Sequence, residues 1–113
     1  MQGTMTTVAP DGAITIKTYT AEIPLEDLNE AVGGYIESVP FFTTYEGREC
    51  VVFCNEHGKI KDLPRNEPAN KLWDALLAAY PKPLSRISDG REVDYLVGTI
   101  AIIQGDREFM RAL

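Results

Sequence analysis

Cysteine, histidine and long apolar runs are all scarce in this chain of 113 residues. Its two cysteines, Cys50 and Cys54, lie in a predicted strand, where residues four apart are separated by about 13 Å, too far for a disulfide. His57 is the only histidine, so the chain supplies few ligands for a Cys/His metal site. We therefore expect buried reduced thiols, no metal site and no cofactor.

Basic residues and targeting segments are scarce as well. There are 17 acidic and 11 basic residues, for a formal net charge of -6, which argues against direct binding to nucleic acid through a basic face. The longest apolar runs, residues 75–80 and 97–103, are far shorter than the roughly 20 residues that span a membrane. The N-terminus has no signal-peptide pattern. We expect a protein of the (host) cytoplasm that binds neither nucleic acid nor membrane.

Motifs of common enzyme classes are missing. The chain has no GxxxxGK[ST] or GxGxxG loop, no HExxH or CxxC pair and no serine in a GxSxG elbow. His57 lies in an Asn-Glu-His-Gly loop and is interpreted as an exposed turn residue. The alternative is a small enzyme that uses His57 with Glu56 or a cysteine. We predict no catalytic residue and no enzymatic activity.

Two stretches predict helices. Pro24 and the acidic residues after it suit the start of a helix that ends at Gly33, since a glycine accepts the left-handed cap conformation. The second stretch has the spacing i, i+3, i+4, i+7, i+8, i+11 between Ala69 and Tyr80, which places Leu72 and Trp73 on the buried face and Asn70 on the outer one. Pro81 and Pro83 follow it. A short helix is expected in the tail after residue 105.

The remaining apolar segments predict strands. A half-buried strand is expected at 13–20, where Ile14, Ile16 and Thr18 alternate with polar residues. The run 95–104 predicts a central strand, because both of its faces are apolar. A flexible segment over residues 1–12 would precede a single α+β domain over 13–113, with a mostly antiparallel sheet of about five strands and two packed helices. The other predicted strands are 35–39, 41–45, 49–54 and 59–61, with a polar loop over 85–91.

Two places have residues suited to an anionic ligand. Gly33, Gly34 and Tyr35 offer close backbone approach and an aromatic ring, although a helix cap explains both glycines equally well. Asn66 is a good N-cap residue, and Asn70 follows one turn later. Arg65 is disfavoured beside a helix N-terminus, so it would hold either an anion or a carboxylate such as Glu67 or Asp62.

Acidic residues cluster on the first helix. Glu26, Asp27 and Glu30 form either a solvated helix face or a patch that binds a partner protein. The excess of acids is too weak for a mimic of DNA, which would need dense rows of carboxylates.

Four segments together resemble a known protein family. These are VGGYIE (32–37), NEHGK (55–59), LPRN followed by ANKLW (63–73) and the late Val97-Gly98 strand. They are similar to the domain of unknown function 3846, small proteins of bacteriophages and bacterial mobile elements. The match spans about residues 14–104 and departs at Glu67-Pro68, where basic residues are common. The resemblance implies a phage or mobile-element context and no established activity, and it suggests that VGGYIE, NEHGK and LPRN converge at one edge of the sheet.

Two functional hypotheses follow, apart from the enzyme alternative. The first is a non-enzymatic counter-defence protein that sequesters a small anionic or nucleotide-like ligand with Gly33, Gly34, Tyr35, Arg65, Asn66 and Asn70. The second is an inhibitor of a host defence enzyme, which it would bind through an acidic surface at Glu26, Asp27 and Glu30 or at a sheet edge. Exposed strand edges also make a homo-oligomer a possibility.

Overall fold

Nine strands and three helices make up the computed structural model, which describes residues 1–113. Strands with alternating or β-branched residues carry the sheet, and the two longer helices coincide with the two predicted amphipathic stretches. The elements are β1 (Gly3–Val8), β2 (Ile14–Tyr19), α1 (Leu25–Val32), β3 (Ile36–Ser38), β4 (Thr44–Tyr45), β5 (Arg48–Glu49), β6 (Val51–Asn55), α2 (Glu67–Ala78), β7 (Ile87–Ser88), β8 (Arg91–Glu92), β9 (Ile100–Gly105) and α3 (Arg107–Arg111).

Five strands form one antiparallel sheet in the order β2-β1-β9-β6-β3. The last strand in the chain, β9, therefore occupies the centre, as its apolar run predicts. Two small hairpins, β4–β5 and β7–β8, lie outside this sheet. The predicted fold class, α+β with about five mostly antiparallel strands and two packed helices, is confirmed, and the predicted tail helix is α3.

The sheet separates two apolar clusters. One face, called here the α2 face, packs against α2 and buries Val8, Val52, Ile100 and Ile102 around Trp73. The opposite face packs against α1 and α3, and its buried members include Met5, Leu28, Val32, Ile103 and Phe109. None of the three helices has the length and apolar character needed to cross a lipid bilayer.

The predicted helix boundaries are confirmed. Pro24 precedes α1, and Gly33 ends it in the left-handed conformation with φ 75°. Asn66 caps α2 by accepting a hydrogen bond from the backbone N–H of Ala69, with Pro68 in the first turn. These residues satisfy backbone groups that a helix end would otherwise leave unpaired.

The prediction of a flexible segment over residues 1–12 is wrong. Gly3–Val8 forms β1, which pairs with β2 on one side and β9 on the other. Threonines, whose β-branched side chains favour strands, make up half of β1. The prediction that 13–20 is half-buried is also wrong, because β2 is the outermost strand and Ile14 and Ile16 are exposed.

Two predicted strands and one predicted loop need correction. Residues 59–61 form turns, not a strand, because the side chain of Asn55 accepts the N–H of His57 and draws the chain out of the sheet. The polar loop over 85–91 contains the hairpin β7–β8, closed by Asp89 and Gly90 with positive φ. Only the end of the predicted strand 41–45 is extended, as β4.

The buried face of α2 is rotated from the predicted one. Leu72 is 36% exposed, whereas Asn70 is fully buried beside Trp73. The amide of Asn70 accepts the backbone N–H of Leu96 at 2.7 Å. This hydrogen bond allows an asparagine to replace an apolar side chain in the buried stripe.

Candidate functional site

The side chain of Asn55 joins the first two motif segments. Its Nδ2 donates to the carbonyl of Val32 at 3.1 Å, and its Oδ1 accepts the N–H of His57 at 2.8 Å. The N–H of Glu56 donates to the carbonyl of Tyr35 at 2.9 Å. VGGYIE and NEHGK therefore lie side by side where β3 and β6 pair.

Two glycines bring the other two segments against them. A Cβ on Gly58 would lie 2.7 Å from Cγ2 of Val97, and one on Gly98 would lie 2.9 Å from Cδ1 of Leu63. The N–H of Gly98 also donates to the carbonyl of Pro64 at 2.7 Å. A Cβ at either position would have to displace its neighbour, and the positive φ of Gly98, 69°, also favours glycine. The predicted convergence of VGGYIE, NEHGK and LPRN is therefore observed, and the Val97-Gly98 segment, which was not part of that prediction, joins them.

A cleft of about 200 Å³ opens on the α2 face of this junction. It forms because β6 pairs with β9 only along Val51–Phe53, while the chain before β9 turns aside and bridges to Arg65 at Val97. The gap between the end of β6 and this segment is the cleft. Its lining includes Val39, Trp73, Leu96 and Val97 among the buried residues, and Glu37, Glu56, Lys59 and Asp94 among the charged ones.

Carboxylates dominate the charge of the cleft. Glu37 and Glu56 are exposed and make no ion pair within the chain, whereas Asp94 accepts a hydrogen bond from Nζ of Lys59 at 2.5 Å. The same ammonium group lies 4.6 Å from the ring centroid of Tyr95. The cleft contains three carboxylates and one ammonium group, which is paired with Asp94, so its net charge is negative.

The thiol of Cys54 lies in this cleft. Burial raises its pKa to about 11, and the charges of Glu37 and Asp94 contribute in the same direction. Cys50 is also a free thiol, buried, with its pKa raised to about 11 by burial. Such thiols stay protonated at neutral pH and are poor nucleophiles.

The first group of predicted site residues mainly forms the C-terminal cap of α1. The N–H of Gly33 donates to the carbonyl of Glu30, and that of Gly34 to the carbonyl of Asn29. Gly34 also lies against the side chain of Asn55, where a Cβ would approach to 2.7 Å. Tyr35 is 70% exposed. The structure therefore favours the helix-cap interpretation of both glycines.

The two predicted asparagines are buried and bind backbone groups. Nδ2 of Asn66 donates to the carbonyls of Val8 and Gly98 at 2.8 and 2.9 Å, while its Oδ1 caps α2. The side-chain oxygen of Asn70 accepts the backbone N–H of Leu96. Both amides are fully engaged within the fold, where they connect α2 to the sheet and to the segment that lines the cleft.

Arg65 is held by carboxylates. Its guanidinium donates two hydrogen bonds to Glu92, at 2.6 and 2.8 Å, and a third to Glu67 at 2.8 Å. Its carbon Cζ lies 4.3 Å from the ring centroid of Tyr95. These contacts raise the pKa of Arg65 further above its usual range. Of the two carboxylate partners that the sequence suggests, Glu67 is found and Asp62 is not. None of the six predicted ligand-binding residues lines the cleft.

Arg86 is a charged residue that the sequence did not single out. Its side chain is 9% exposed and donates to both carboxylate oxygens of Asp74, at 2.7 and 2.9 Å, and to Glu92 at 2.8 Å. Together Arg65 and Arg86 lower the pKa of Glu92 to about 2. This network ties the β7–β8 hairpin to α2 and supports the wall of the cleft at Asp94, whose carbonyl also accepts from Arg86.

The predicted acidic patch and His57 lie outside the cleft. Glu26 and Glu30 are exposed on α1. Asp27 accepts hydrogen bonds from the hydroxyl of Tyr19 and the ammonium of Lys17, which lower its pKa. His57 is exposed in the turn after β6. No three side chains of histidine, cysteine, aspartate or glutamate are grouped so that they could hold a metal ion.

Comparison with known proteins places the chain in a family. The family described as Domain of unknown function (DUF3846) matches residues 4–111, nearly the whole chain, and the chain belongs to it. No curated protein and no solved structure matches the chain.

Proposed function

We propose that this member of the DUF3846 family is a non-enzymatic binding protein that holds a basic segment of a partner protein in its cleft. The observation that carries the proposal is the pair of free carboxylates, Glu37 and Glu56, beside a recess with buried apolar walls. A lysine or arginine side chain suits such a site, because its stem packs on apolar surface while its charge reaches the carboxylates.

The chemistry of the cleft supports binding rather than catalysis. Its thiol, Cys54, has a pKa near 11, and its one ammonium group is paired with Asp94. His57, the residue of the enzyme alternative, does not reach it. A general base near neutral pH is what a hydrolytic or transfer reaction at this site would need.

Sequestration of a small anionic or nucleotide-like ligand is the weaker proposal. The negative cleft would repel an anion, and Arg65, the cation expected to attract one, is bound by two carboxylates. In the phage or mobile-element context that the sequence resemblance implies, the partner would be a host enzyme. Occupation of its basic segment would inhibit it, as a counter-defence protein does.

The only tryptophan of the chain, Trp73, lines the cleft and reports directly on its occupancy. Peptides selected from a random library on the wild-type protein should be enriched in arginine and lysine. A selected peptide should shift the fluorescence of Trp73 in a saturable manner. The same peptide with glutamate at its basic positions, and a panel of nucleotides, should leave the fluorescence unchanged.

Two double variants with the same change of net charge locate the site. Glu37→Lys with Glu56→Lys should weaken peptide binding by about tenfold or more, a loss of about 1.4 kcal/mol in binding free energy. Glu26→Lys with Glu30→Lys, on α1, should bind as the wild type does. Equal weakening in both double variants would show only long-range electrostatics. Saturable binding of a nucleotide would favour the anionic-ligand hypothesis instead.

A further inference from the structure

The outermost strand β2 has an unusually open edge. Every residue of β2 except Tyr19 is exposed, and the isoleucines Ile14 and Ile16 are 56% and 68% exposed. Natural sheets protect such an edge with proline, a bulge or charged side chains. β2 has no proline, pairs residue for residue with β1 along its whole length, and carries one charge, Lys17.

Lys17 does not protect the edge. Its ammonium lies 3.2 Å from the carboxylate of Asp27 on α1. The side chains of Ile14, Ile16 and Thr18 alternate with it and lie on the other face of the sheet, the α2 face. That face of the edge is apolar and uncharged.

The hydrogen-bond alternation of β2 defines which backbone groups are free. The N–H of Ala9 donates to the carbonyl of Ala13 where the β1–β2 hairpin closes. In an antiparallel pair every second residue bonds to the neighbouring strand, so Thr15 and Lys17 bond to β1. Ile14, Ile16 and Thr18 therefore direct their N–H and C=O groups outwards.

This free row is complementary to itself. A two-fold axis at Ile16 would pair Ile16 with the same residue of a second copy, and Ile14 with Thr18 on either side. Three bonded pairs would form, with about six backbone hydrogen bonds. Lys17 would then face Thr15. A register centred on Lys17 would oppose two ammonium groups and form fewer bonds, so charge selects the first register.

We propose that β2 pairs with β2 of a second copy of the chain about a two-fold axis at Ile16, which joins two five-stranded sheets into one of ten strands. The four isoleucines would meet on the α2 face between the two β4–β5 hairpins. On each copy Ile14 and Ile16 already form a groove of about 320 Å³ with Tyr45 and Arg48 of that hairpin. Such an interface lies at the small end of the roughly 1,200–2,000 Å² that specific interfaces bury, so the dimer is of modest affinity.

This dimer is independent of the proposed binding function. β2 and β3 are opposite edges of the sheet, so both clefts stay open. The dimer would present two basic-segment sites, which strengthens binding to a partner with repeated or paired segments.

Sedimentation equilibrium from low to high micromolar concentration tests the proposal. The wild type should pass from monomer to dimer, and Ile16→Lys should raise the dissociation constant of the dimer by at least about tenfold, because it opposes two charges on the axis. Ile60→Lys is the control for dimerisation, since Ile60 is 85% exposed and lines the cleft at the β3 flank, the edge of the sheet opposite β2. A wild type that stays monomeric, or a dimer that Ile16→Lys leaves unchanged, overturns the proposal.

A cysteine scan tests the register. Residues opposite each other in a bonded antiparallel pair have Cα atoms about 5.5 Å apart, within the range of a disulfide. Ile16→Cys should therefore form a covalent dimer on mild oxidation, whereas Thr18→Cys, which faces Ile14 of the other copy, should not. Circular dichroism of each variant confirms that it is folded. Cross-linking through Thr18→Cys but not Ile16→Cys contradicts the proposed axis.

Discussion

The two flanks of the sheet are stabilised by different means. At the β3 flank, the buried amides of Asn55 and Asn70 bind backbone groups from distant parts of the chain, and ion pairs fix the segments around the cleft. The buried amide of Asn66, at the start of α2, extends this support to the carbonyl of Val8 in β1. At the β2 flank, strand pairing and the contact of Tyr19 and Lys17 with α1 hold an otherwise exposed strand. The first flank is fixed by its side chains in one arrangement, whereas the second keeps backbone groups free for another strand.

Asn66→Ala should have the largest effect, because it removes the α2 cap and the two hydrogen bonds that the buried amide donates to the carbonyls of Val8 and Gly98. We expect a loss of about 3 kcal/mol in the free energy of unfolding, measured by urea denaturation. Asn29→Ala is the matched control, since the buried Oδ1 of Asn29 accepts no hydrogen bond. A loss below about 1 kcal/mol in Asn66→Ala would show that the connection of α2 to the sheet does not depend on this buried amide.

The ion pairs of the β3 flank predict an intermediate, pH-dependent effect. The pKa of Glu92 is about 2 in the folded protein, below its ordinary value of 4.5. The ionised carboxylate therefore stabilises the fold above about pH 4.5, and this contribution is lost as the pH falls towards 2. The stability difference between wild type and Glu92→Gln should be present near about pH 6 and shrink near about pH 2.5.

Urea midpoints at the two pH values measure this difference. Other carboxylates titrate in both proteins and cancel. Glu30→Gln, which changes an exposed carboxylate without an ion pair, should differ from the wild type equally at both pH values. A Glu92→Gln difference that does not change with pH would mean that the pairs with Arg65 and Arg86 contribute nothing.

Ile16→Thr should have the smallest effect. Ile16 is exposed and threonine retains the β-branched shape, so the unfolding free energy of the diluted monomer should change by less than about 0.5 kcal/mol. Ile102→Thr makes the same change on the same face, two strands away at the centre of the sheet, and should cost about 2 kcal/mol or more. Similar losses at both positions would remove the contrast between the edge and the core.

Much of the fold follows from local patterns. Helix caps at Gly33 and Asn66 and the apolar run of β9 are short-range signals, and each is confirmed. β1 was missed because threonines read as polar, although a strand covered on both sides satisfies its backbone whatever its side chains. The rotated face of α2 depends on a hydrogen bond that the backbone N–H of Leu96 donates to Asn70, 26 residues away in the chain, which periodicity does not reveal.

The site follows less well from the sequence. Convergence of the motif segments was predicted, but Asn66 and Asn70, which were taken for ligand contacts, bind backbone groups, and Arg65 binds carboxylates. The cleft exists because the segment before β9 does not pair with β6. This arrangement depends on long-range contacts, which no local sequence pattern reveals. Glu37, Glu56 and Lys59 stand within the motif segments VGGYIE and NEHGK. The presence of these charged residues within the motif segments was the signal that the sequence offered for the site.

The central position of β9 has a consequence for how the protein folds as it is synthesised. The other four strands of the sheet precede β9 in the chain, and they form two separate strand pairs, β1–β2 and β3–β6, that no strand joins until residues 100–105 are available. Closing the sheet joins β1 to β9 across nearly the whole chain, a topology that folds slowly. During that interval β1 exposes a free edge as well as β2. The nascent β1–β2 hairpin therefore has two unpaired edges at this stage, and unpaired strand edges favour aggregation.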